Sequence, residues 1–81
     1  MGEALIKKLA QVYPANELID LKYAGNDLTI KTDDAGRAIL LFMGRRQENG
    51  HIKGERYARR LVFDASGKAV KDHWELKGKS T

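Results

Sequence analysis

Three turn signals punctuate the last two thirds of this chain: Asp33-Asp34-Ala35-Gly36, Asn49-Gly50 and Asp64-Ala65-Ser66-Gly67. Asp and Asn side chains hydrogen-bond their own backbone and glycine reaches the left-handed conformation, so each cluster reverses the chain within a few residues. The two Asp-to-Gly clusters fit a type I turn closed by a left-handed glycine acting as a bulge. Strands joined by such short reversals run antiparallel, because a parallel pair needs a crossover of a dozen or more residues. The spacing predicts strands over 37–47, 51–63 and 68–77, laid down as a meander.

Upstream, the hydrophobic period changes. Residues Glu3 to Tyr13 read as an amphipathic helix, with Leu5, Ile6, Leu9, Ala10, Val12 and Tyr13 on one side and Lys7, Lys8 and Gln11 on the other. Pro14 marks its end. Beyond it, Ile19, Leu21 and Tyr23 alternate as the inward face of a first strand. After the turn cluster 24–27 come Leu28 and Ile30 of a second strand, also inward. The run Ala38 to Met43 is apolar at every position, which places it centrally with both faces covered. Ile39, Leu41 and Met43 are assigned to the helix. Leu40 and Phe42 then face a curled sheet, a loop or a second subunit, and form the candidate interface, since large exposed apolar patches are uncommon on monomers.

Counting back from the turn at 64–67 gives a register for the last hairpin. Phe63 faces Lys68, Leu61 faces Val70, Arg59 faces Asp72 and Tyr57 faces Trp74 on one side. Val62 faces Ala69, Arg60 faces Lys71, Ala58 faces His73 and Arg56 faces Glu75 on the other. This register gathers Phe63, Leu61, Tyr57, Val70, Trp74 and Leu76 into a core. Arg59 with Asp72 is read as a structural ion pair at the edge of that core, with the mouth of a ligand cavity as the functional alternative. Like charges at Arg60 and Lys71, with Arg56 nearby, are the candidate anion-binding group.

Charge and composition narrow the function. From Met1 to Gly44 five Lys/Arg meet six Asp/Glu, and from Arg45 to Thr81 ten meet five, so the whole positive excess lies in the C-terminal half. Such asymmetry favours polyanions, and it is equally the pattern of a solvated β-surface protected by basic residues. No RNP-type aromatic pattern or GXXG clamp accompanies it. Cysteine is absent and His51 and His73 are the sole histidines, so disulfides and the usual zinc ligand sets are excluded. Asp33-Asp34 are ordinary turn initiators, and no metal or cofactor is called for. For acid–base chemistry the available groups are His51, His73, Asp72, Glu75, Tyr23 and Tyr57, with no nucleophile motif beside them. No apolar run approaches the roughly 20 residues a membrane helix needs. A cytoplasmic location without membrane contact is expected.

Together these readings define one domain over 1–81, of α+β class: a helix over about 3–13 packed on a curled five-stranded antiparallel meander over about 17–77, with a polar tail at 78–81. In order of elements the chain resembles cystatin-like folds, in which a curled antiparallel sheet wraps a helix. The likeness concerns topology and implies no activity or site. The alternative is a small closed barrel with the helix as lid, its long strand bending at Gly54. A core this small supplies about 3–5 kcal/mol, and self-association is the reinforcement left open to it. The expected function is a noncatalytic binding or protein-interaction domain self-associating through its sheet. The alternative is nucleic-acid or other polyanion binding through the basic C-terminal hairpin.

Overall fold

The computed structural model describes residues 1–80 and orders its elements as α1 (Glu3–Leu9), β1 (Leu18–Tyr23), β2 (Asn26–Thr32), β3 (Ala38–Arg46), β4 (Ile52–Phe63) and β5 (Ala69–Ser80). The five strands form one antiparallel sheet in chain order, with β3 at its centre. The sheet is open: β1 and β5 are its edges, which excludes the closed barrel. The polar tail expected from Gly78 is strand as far as Ser80, while Thr81 lies outside the described residues.

α1 has seven residues, too few to be stable in isolation. Glu3 in its first turn and Lys7 and Lys8 in its last complement the macrodipole. Its stability comes mainly from burying Leu5 and Leu9 against Leu28, Ile30, Ala38 and Leu41 of the sheet. Each such aliphatic side chain contributes about 1.5–3 kcal/mol when fully buried. The helix expected to reach Tyr13 stops at Leu9. Val12 leaves the apolar stripe, 77% exposed, and its backbone instead forms a β-bridge with Arg37. Tyr13 N–H donates to the Gly36 carbonyl at 2.9 Å. A β-branched residue followed by one that precedes proline favours extended backbone, and the β2–β3 turn supplies the partner.

Thr32 then ties the loop after Pro14 to the sheet. Its buried hydroxyl donates to the Pro14 carbonyl at 2.6 Å and accepts the Glu17 N–H at 3.0 Å. Its own N–H donates to the Glu17 carbonyl at 2.9 Å.

All three sequence-predicted turns close alike. The N–H of residue 36, 50 or 67 donates to the carbonyl three residues earlier, and each closing glycine has positive φ, at 79°, 86° and 84°. Asn49-Gly50 thus belongs to a longer loop of the same type as the other two. The β1–β2 connection is the two-residue hairpin, with Ala24 and Gly25 both at positive φ and Tyr23 paired to Asn26.

The last turn closes on Asp64 and Lys68, one residue off the count, and two bulges on β5 displace the register further. Phe63 pairs with Ala69 but Val62 with Lys71, leaving Val70 unmatched, and Lys77 is passed over between Leu76 and Gly78. Arg59 therefore faces Trp74, Leu61 faces Asp72, Arg60 faces His73 and Tyr57 faces Leu76. The slip of two residues keeps Arg59, Asp72 and Trp74 on one face, because side chains alternate with period two. The proposed core is not formed as counted: Val70 is 60% and Leu76 56% exposed, and Phe63 is exposed too, with Arg37 stacked 4.8 Å over its ring. Tyr57 and Trp74 pack on the edge of the core. The protruding hairpin gives a radius of gyration of 12.9 Å, against about 12 Å for a compact chain of this length.

At the other end of β3, Gly44 faces Gly54. A Cβ on Gly44 would collide with the Lys53 carbonyl oxygen and stand 2.8 Å from the Gly54 Cα. One on Gly54 would collide with the Met43 carbonyl oxygen in the same way. The two backbones touch here, and the pairing continues past the contact to Arg46 and Ile52.

Two substitutions test these joints by urea denaturation. Thr32→Val keeps the shape but strands the Pro14 carbonyl and the Glu17 N–H, and is expected to cost about 1–3 kcal/mol; an unchanged midpoint would remove the tie. Gly44→Ala forces backbone apart and is expected to cost at least about 2 kcal/mol; a neutral result would mean the strands are not in contact there.

Candidate functional site

Strand alternation builds the face of the sheet away from α1. Leu18, Lys31, Leu40 and Ala58 form one row across it, and Asp20, Thr29, Phe42 and Arg56 the next. Leu41, between the two β3 residues, points the other way and is fully buried under the helix. Leu40 and Phe42, the candidate interface, are half-buried and line a cavity of about 660 Å³. Leu18 of one edge strand and Ser80 of the other border the same cavity, as does Ile52, so the sheet and its bent hairpin form a trough around the two β3 side chains.

Arg46 holds the trough in shape. Its backbone N–H donates to Asp27 Oδ2 at 2.8 Å, and its guanidinium reaches back over the sheet. Nη2 donates to the Leu28 carbonyl and to Thr29 Oγ1, each at 3.1 Å, and pairs with Asp20 at 3.1 Å. Nη1 donates to the Gly50 carbonyl at 2.8 Å, so one side chain ties β1, β2 and the β3–β4 turn together. Asp20 also accepts the Thr29 hydroxyl at 2.9 Å. Lys31 and His51 line the trough as well, and neither side chain has an ion-pair or hydrogen-bond partner among the described residues. Leu18, Lys31, Arg46 and Ile52 were not singled out from sequence. The signal available for Leu18 and Lys31 was alternation in phase with Leu40, whereas Arg46 was absorbed into the basic run.

The candidate anion-binding residues do not form one cluster. Arg56 faces Phe42 and Gly78, Arg60 faces His73, and Lys71 faces Val62, so the like-charged pair of Arg60 and Lys71 is not formed. The closing of the turn on Asp64 and Lys68 moves the register by one residue, and the Val70 bulge moves it by a second. All three side chains are exposed and on the face away from the helix.

Arg59 and Asp72 form a bidentate ion pair, Nε to Oδ1 at 2.7 Å and Nη2 to Oδ2 at 2.8 Å, diagonal to the ladder. The Arg59 side chain is only 9% exposed and lies 5.9 Å over the Trp74 ring, with Nη1 on the Ala38 carbonyl at 3.3 Å. The hydrogen bonds from Arg59 hold the Asp72 carboxyl below its ordinary value. A second cavity of about 270 Å³ between α1 and β5 is lined by this pair together with Ile6 and Trp74. Each of the three guanidinium nitrogens of Arg59 already donates within the fold.

His73 and Glu75 share a face two residues apart and meet, Nε2 to Oε2, at 2.7 Å; Lys77 Nζ holds the other oxygen at 3.0 Å. These contacts, that of His73 first, lower the Glu75 carboxyl to about 2. So acidic a carboxyl stays ionised at neutral pH and accepts protons poorly, which suits it to orienting His73 rather than to general-base work. Asp72, next in sequence, faces the opposite side. Asp33 is engaged with Arg37 through Nε at 2.8 Å and with the Ala35 N–H at 2.9 Å, as a turn initiator. Among the described residues no three His, Asp or Glu side chains gather into a metal-binding group, and no helix is long and apolar enough to cross a membrane.

A carboxyl lowered on folding stabilises the fold above its ordinary value, near 4.5, and loses that contribution as pH falls toward about 2. Side-chain carbon NMR is expected to show Glu75 titrating at about 2 and moving up toward the ordinary value in His73→Ala. An unshifted midpoint in the variant would mean His73 does not hold the carboxylate.

Compared with protein-family models, with curated proteins and with solved structures, the chain has no match.

Proposed function

We propose that this chain is a noncatalytic binding domain whose working surface is the trough on the sheet face away from the helix. One observation carries the reading: the two large side chains that the central strand turns away from the core, Leu40 and Phe42, lie half-buried in a cavity of about 660 Å³. Ligand sites are typically concave, largely apolar and about 300–1,000 Å³. A sealed monomer would cover both residues with its own chain, and a flat interaction face would leave no cavity.

Self-association through the same surface is the second reading. It is supported by Leu18, which stands at the lip of the trough 68% exposed and adds apolar area in the same row as Leu40, across Lys31. Polyanion binding through Arg56, Arg60 and Lys71 draws on a weaker observation, the spread of three exposed cations over more than one strand. Salt-sensitive oligonucleotide affinity, lost on Arg56→Glu and Arg60→Glu, is its signature. A cytoplasmic location belongs to the same proposal and draws on the absence of cysteine.

The leading reading is tested with N-phenyl-1-naphthylamine, a neutral apolar probe whose fluorescence rises in apolar sites. Wild type is expected to enhance it, and Phe42→Ser, with native circular dichroism, to lose most of the enhancement. Equal enhancement in both proteins would move the binding surface elsewhere. Sedimentation at micromolar concentration separates the second reading, which requires a dimer that Leu40→Ser dissociates.

A further inference from the structure

We infer that the trough takes an amphipathic monoanion, an alkyl or aryl chain bearing one carboxylate, with the chain over Leu40 and Phe42 and the carboxylate at Lys31. The inference rests on the trough being the binding surface and adds the ligand's chemistry. Its apolar part follows from Leu18, Leu40, Phe42 and Ile52, which line the cavity from β1, β3 and the start of β4.

Its charge follows from which polar groups are engaged. Asp20 is the acid that lines the trough, and Arg46 at 3.1 Å and the Thr29 hydroxyl at 2.9 Å already satisfy it. Arg46 is in turn held by the Leu28 and Gly50 carbonyls and paired with Asp20, so its charge is already matched within the fold. Lys31 and His51 are left as the lining groups whose side chains have no hydrogen-bond or ion-pair partner among the described residues. Lys31 sits in the row of Leu18 and Leu40, between them, so its side chain rises from the apolar floor. A cationic amphiphile would meet Lys31 with like charge, and a neutral one would leave its donors to water. A carboxylate accepts a charge-assisted hydrogen bond there. A flexible lysine at a rim also follows ligands of different chain length, because its stem lies along apolar surface while its head stays wet.

The test compares decanoate, 1-decanol and decyltrimethylammonium as probes of equal chain length, each below its micelle concentration, by amide chemical-shift titration of the full chain. Decanoate is expected to shift the Leu40 and Phe42 amides and to bind roughly tenfold more tightly than decanol, the size of one charge-assisted hydrogen bond at a partly wet site. The ammonium probe is expected to bind more weakly than decanol. Lys31→Gln, a change at an exposed side chain, is expected to erase the preference for decanoate, and Lys68→Gln at the distal turn to leave it intact. Equal binding of decanoate and decanol, or a preference that survives Lys31→Gln, overturns the inference while leaving the trough as a binding surface. No binding of any of the three overturns both.

Discussion

The contact between Gly44 and Gly54 is the constraint on which the rest of this face depends. Two glycines facing each other across an antiparallel pair remove both side chains from one point of the sheet, and the backbones close to a distance no Cβ permits. Past that point Gly50, His51 and Ile52 border the same cavity as Leu18 and Asp20, from which we infer that the hairpin bends back toward β1 and β2. Arg46 fixes the bend by bonding across strands to Leu28, Thr29 and Asp20, and by holding its own turn through Gly50. Without the bend, Leu40 and Phe42 would lie on an open sheet face. With it they line a cavity.

The opposite face is governed by burial. A seven-residue helix cannot sustain itself, and its two buried leucines hold it on Leu28, Ile30, Ala38 and Leu41. Thr32 joins the intervening loop to this core through a fully bonded hydroxyl, so a polar group sits inside a small core without an unsatisfied partner. The last hairpin extends past the core and is stabilised differently, by the bidentate Arg59–Asp72 pair, by the stacking of Arg37 on Phe63, and by the chain of contacts from His73 through Glu75 to Lys77. Arginine and lysine on its strands blunt the exposed β5 edge, as do the bulges at Val70 and Lys77.

Much of this architecture was legible in the residues. Turn chemistry located the reversals, the change of period located the boundary after Pro14, and the uninterrupted apolar run from Ala38 to Met43 marked the central strand and singled out Leu40 and Phe42. Three features were not legible, each for a physical reason. Val12 carries the helical period, yet its backbone pairs with Arg37, and that pairing depends on where the β2–β3 turn falls in space. Neither the closing pair of the last turn, Asp64 with Lys68, nor the Val70 bulge has a local sequence mark, and together they place Arg60 opposite His73 instead of Lys71. Arg46 looks like one more member of a basic run, and its role emerges only when the bend carries it to residues 17 and 18 positions away.

The central claim, that a glycine contact bends the hairpin and lets Arg46 form the trough, is tested most directly by nuclear Overhauser spectroscopy on the full chain. The account predicts a strong cross-peak between the Hα protons of Gly44 and Gly54, together with cross-peaks from the Arg46 side chain to the Thr29 methyl group. A Gly44 to Gly54 cross-peak without any from Arg46 to Thr29 would leave the strands paired but the hairpin unbent, and would contradict it.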